Sequence, residues 1–92
     1  MLHYDFESKI TDFIDDNQII FFFKHDNDYY GASEDSRLVF AGTKDGTFPQ
    51  DSEFIGIKLQ KNMENPKEKR FSKKDIKSIK VLDEKEALKG IK

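Results

Sequence analysis

His25, Asp26 and Asp28 place an imidazole and two carboxylates within four residues. Such a set can hold a divalent cation, or let the imidazole act as a general base beside a carboxylate. The same residues are what a hairpin turn requires, because Asp and Asn bond their own backbone there, and the turn is the simpler account. Asp26-x-Asp28-x-Tyr30-Gly31 begins with the spacing of a calcium loop. Tyr stands at its third ligand position, and strand-forming residues flank it where helices are needed. His3 has no partner nearby in sequence. Gly46 is not followed by Lys-Ser or Lys-Thr, so no phosphate loop is present, and no Ser, Thr or His spacing suggests a nucleophile elbow. The chain is read as a non-enzyme without cofactor or metal.

Two charged sets remain. The basic one is Lys67, Lys69, Arg70, Lys73, Lys74, Lys77 and Lys80, with Phe71 inside it. Lysines in such number can neutralise phosphates, and Phe71 can stack on a base, as in single-strand binders. Arg, the better bidentate reader of bases, occurs once in the set. The acidic one is Asp26, Asp28, Glu34, Asp35, Asp45, Asp51 and Glu53, accompanied by Tyr29, Tyr30 and Phe48. All seven carboxylates fall in expected turns or beside strand ends. Alternate turns of a hairpin sheet share an edge, so several are expected at one end of the molecule. Aromatic anchors ringed by carboxylates suit an interface with a basic protein.

The two sets reflect a split along the chain. Residues 1–56 carry 12 acidic and 4 basic side chains, and residues 57–92 carry 12 basic and 6 acidic ones. The net charge of −2 hides this asymmetry, which bears on partners and association rates. Cysteine is absent, which excludes disulfides and thiolate metal sites and favours a reducing cytoplasm. The opening residues do not read as a secretory signal, and the apolar run Ile19–Phe23 is far too short for a membrane span.

Around these sets the expected elements are short. Phe6, Ile10, Phe13 and Ile14 fall on one helical face, predicting a helix over about 5–15 with Asp5 as its N-cap. Ile19–Phe23 reads as a central strand, and Tyr29–Ala32 as its hairpin partner. Glu34–Ser36 reads as a turn and Leu38–Ala41 as a third strand, followed by the Asp45-Gly46 hairpin signal. Phe54–Leu59 reads as a fourth strand, in which Gly56 marks a bulge or a close backbone approach. A polar loop over 62–69 follows. Ser72-x-x-Asp75 predicts a capped turn, Ile79–Leu82 a fifth strand, and Asp83-x-x-Glu86 the cap of a short helix ending at Gly90. The 92 residues form one domain of α+β class. Its N-terminal helix packs on a strongly bent antiparallel sheet or small SH3-like barrel of about five strands.

The expected function is that of a small protein-binding inhibitor with an acidic, aromatic surface that plugs a basic cleft. Immunity proteins that neutralise bacterial toxins, nucleases among them, are the matching class. The second expectation is a nucleic-acid-binding module that uses the C-terminal lysines. The third is a homodimer in which the acidic half of one chain meets the basic half of another. No membrane partner is expected.

Overall fold

The computed structural model describes residues 3–91, with side chains from Lys9 to Ile91. Helix α1 spans His3–Asp16, so it begins two residues before the expected cap at Asp5. The side chains of His3, Asp5 and Phe6 lie outside the described residues. The helix ends in a Schellman motif. Gln18 sits at φ +52° and donates to Asp15 at 3.2 Å, and the Ile19 N–H reaches the Ile14 carbonyl at 3.0 Å. Ile14 and Ile19 then pack in one apolar cluster, the hydrophobic contact this cap requires.

Strands β1 (Phe21–His25) and β2 (Asp28–Ala32) form a hairpin closed by the His25–Asp28 pair. Asp26, at φ +56°, takes the left-handed conformation that the first position of a two-residue hairpin loop demands.

Residues 34–45 form helix α2 (Glu34–Asp45), not a turn and a third strand. A four-residue apolar run cannot separate strand from helix. The deciding signals flank it. Ser33 accepts from the Ser36 N–H, Glu34 and Asp35 occupy the first turn, and Lys44 lies in the last. Gly46, at φ +81°, ends the helix as the Thr47 N–H bonds the Gly42 carbonyl at 2.8 Å. An Asp-Gly hairpin and a helix C-terminus both need a positive φ at glycine, so the dipeptide signals either.

Strand β3 (Glu53–Lys58) pairs with β4 (Glu68–Ser72) in unbroken register, so Gly56 carries no bulge. The expected polar loop over 62–69 therefore ends in an edge strand, whose charged side chains concealed it. A 3-10 helix, η1 (Lys73–Ser78), leads to β5 (Ile79–Leu82) and helix α3 (Glu84–Gly90). Both capping boxes expected from sequence form, at Ser72/Asp75 and Asp83/Glu86.

The five strands are ordered β4-β3-β2-β1-β5, every pair antiparallel. Three strand spacings separate β1 from β4, roughly 14 Å in a flat sheet. Yet the rings of Phe23 on β1 and Phe71 on β4 are 5.1 Å apart. The sheet must therefore curl strongly. It closes over Gly56, where an added Cβ would meet Phe23 at 2.8 Å and Phe71 at 3.0 Å. The edge strands β4 and β5 do not pair.

Alternation along the strands gives the sheet two faces. The concave face holds Phe21, Phe23, Tyr30, Phe54 and Phe71, covered by Phe40 of α2 and Ile76 of η1. The other face packs Phe22 and Leu59 against Ile10 and Ile14 of α1 and Ala87 of α3.

Candidate interaction surfaces

His25 ends β1 with its side chain in the concave core, 7% exposed, its ring edge against Phe71 at 5.1 Å. Its Nε2 lies 3.8 Å from an Asp75 oxygen and its Nδ1 lies 3.6 Å from Asp26, both beyond hydrogen-bond length. Asp28 turns away to Lys58 at 3.6 Å. The turn thus does not gather its imidazole and two carboxylates into a site. Among the described residues, no three His, Cys, Asp or Glu side chains are grouped to hold a metal.

The acidic set is divided. β2 leaves the Asp26–Asp28 turn and β3 returns antiparallel from Glu53. The turn therefore lies six or more residues of chain, roughly 20 Å when extended, from Glu34, Asp35, Asp51 and Glu53 past the other strand ends. Several members are also neutralised. Arg37 donates twice to Glu34, at 2.8 and 2.6 Å, and this hydrogen bonding holds the Glu34 carboxyl below its ordinary value. Arg70 faces Glu53 at 3.5 Å.

The aromatic members separate as well. Tyr30 is 4% exposed and stacks on Phe23 at 5.4 Å, so it is a core residue and not a contact residue. Burial raises its phenol above the ordinary 10.0, and the Asp28 and Asp26 carboxylates add to the rise. Its place follows from register, since Tyr30 is opposite Phe23. Tyr29 faces the other way, half-buried, with its ring over Gly90. Phe48 is 39% exposed and lies against Gly42, where a Cβ would overlap its ring.

Helical geometry creates a grouping that a strand reading hides. Glu34, Leu38 and Asp45 share the outward side of α2, and Gly42 borders it one turn after Leu38. Leu38, 47% exposed, and the Phe48 ring on Gly42 thus flank one apolar strip bordered by Glu34, Asp35 and Asp45. Leu38 was concealed as a member of the expected third strand. The flanking Ser33 cap and Gly46 stop were the signals that could have exposed it.

The basic set is likewise reorganised. Phe71 is fully buried among Phe23, Tyr30, Phe54 and His25, so it cannot stack on a base. Lys69 lies over its ring at 5.5 Å, and Lys73 is bonded to the Gln50 amide. Asp51 and Glu53 line the same shallow cleft as Lys73 and Lys74, which brings part of the acidic set against part of the basic one. Lys67, Lys74, Lys77 and Lys80 are exposed. Asp75 is the only acid between Lys69 and Lys80, and it points inward, accepting from the Ser72 N–H at 2.9 Å.

In comparisons with known proteins, the chain matches no family model, no curated protein and no solved structure. No described helix is long and apolar enough to cross a membrane.

Proposed function

We propose that this chain is a small non-enzymatic binding protein that inhibits a basic protein target by docking the outer face of α2. The observation that carries the reading is the exposed Leu38–Phe48 strip and its acidic border. Residues 34–53 hold five carboxylates and two cations, and neither Asp35, Asp45 nor Asp51 has an ion pair among the described residues. An apolar centre with a charged rim is how protein interfaces are built, and the acidic rim selects a basic partner and speeds encounter. A nuclease cleft, shaped to receive phosphates, has the matching charge. An immunity protein against a bacterial toxin is the class these features suit. A cysteine-free chain is consistent with work in a reducing cytoplasm.

The test is comparative capture from the native cells. The wild type should retain one stoichiometric basic protein. The double variant Leu38→Asp/Phe48→Ser should lose it, and Lys74→Glu should keep it. Reversing Asp35, Asp45 and Asp51 to Lys should slow association with the captured protein at low salt. Undiminished capture by the Leu38/Phe48 variant would remove α2 as the docking face.

A further inference from the structure

Lys24 belongs to the acidic half of the chain, where only four cations occur. The sheet carries it elsewhere. In the β1–β5 register Lys24 lies directly opposite Lys80, both on the sheet face that bears α1 and α3. Like charges opposed on adjacent strands destabilise a sheet. Neither lysine has an ion pair among the described residues, and Lys24 instead leans over the Tyr29 ring at 5.4 Å.

Lys77 and Lys74 extend this pair. They stand three residues apart on η1, where side chains at i and i+3 eclipse and the rise is about 2 Å per residue. Lys80 follows Lys77 by three more residues, past the end of η1 and inside β5, and Lys24 adds a fourth cation across the strand pair. The nearest acid in sequence, Asp75, is held inward by the Ser72 cap. A fold that keeps an unfavourable pair at the end of such a row gives up stability there, and departures of that kind concentrate at functional positions.

We infer that Lys24, Lys74, Lys77 and Lys80 form a track for the phosphate backbone of a nucleic-acid strand. Lysines act on phosphates as mobile point charges, and no exposed aromatic or arginine accompanies this row to read bases, so recognition is of the backbone and independent of sequence. Lys74 shares a cleft with Asp51, but Lys24 and Lys80 lie on the sheet face opposite α2, and failure of the track would leave the protein-binding reading intact.

The experiment is fluorescence anisotropy of a labelled single-stranded DNA oligonucleotide titrated with the full chain at several salt concentrations. Four phosphate contacts give a slope of log K against log salt of about −3, or about a fifty-fold loss of affinity between about 50 and 200 mM. Lys24→Gln and Lys80→Gln should each flatten the slope by roughly one unit. Lys80→Gln should also leave the melting temperature unchanged or raise it, because it relieves the opposed pair. Arg70→Gln, at the cation already facing Glu53, should leave the slope as it was. Absence of binding at about 50 mM salt would overturn the track. So would an equal loss on Arg70→Gln, or equal affinity for polyglutamate.

Discussion

Both edge strands of this sheet carry cations, but they are built oppositely. On β4, Arg70 lies opposite Ile55 and reaches diagonally to Glu53 at 3.5 Å, and Phe71 drives the strand into the core. On β5, Lys80 faces Lys24, and Val81 remains 52% exposed. One edge holds the fold and has part of its charge paired. The other contributes less to the core and leaves its charge open. A count of lysines along the chain cannot separate the two, because cross-strand register decides which charges meet.

The strongest way to break this contrast is to truncate each edge. Phe71→Ala should cost about 3–5 kcal/mol, as it empties the centre of the aromatic cluster. Val81→Ala should stay within about 0.5 kcal/mol, the usual range for an exposed site. Urea denaturation of both variants measures the difference, and equal losses would mean the edges are not distinct. Gly56→Ala comes next. Its methyl would press on Phe23 and Phe71 where the sheet curls, and the expected loss is about 1–3 kcal/mol by the same assay.

Charge reversal sharpens the contrast through its sign. Arg70→Glu places a carboxylate on the cross-strand diagonal from Glu53 and should destabilise by about 0.2–1 kcal/mol. Lys80→Glu places one opposite Lys24 and should stabilise by a similar amount. Both effects should shrink in high salt, which thermal melts at two ionic strengths would show. The smallest expected effect concerns Tyr30. Its raised value means that the fold holds the neutral phenol, so its contribution is full below 10.0 and is lost as pH rises through the folded value. Tyr30→Phe should remove that alkaline component from the dependence of stability on pH.

Much of the fold was legible wherever a local signal had one meaning. The periodicity of Ile10, Phe13 and Ile14 gave α1, and the two capping boxes gave η1 and α3. The hairpin through Asp26 and Asn27 formed as its turn residues indicated. Signals with two meanings misled. Leu38–Ala41 fits strand or helix, and Asp45-Gly46 fits a hairpin or a helix stop. The expectation of about five strands held in number, with β4 in place of the supposed strand at 38–41. The candidate sites were less legible, because Tyr30 and Phe71 read as contact residues when seen beside charged neighbours.

The sequence by itself determined the α+β class, the antiparallel hairpins, the helix caps and the opposed charge of the two halves. These follow from side-chain periodicity, turn chemistry and composition, which act over a few residues. Only the tertiary structure decided that Tyr30 and Phe71 lie inside and that Leu38 lies outside. It also decided that Glu53 is answered by Arg70 while Lys80 meets another lysine. Those outcomes depend on strand register and on the curl of the sheet over Gly56, which bring together residues far apart in the chain.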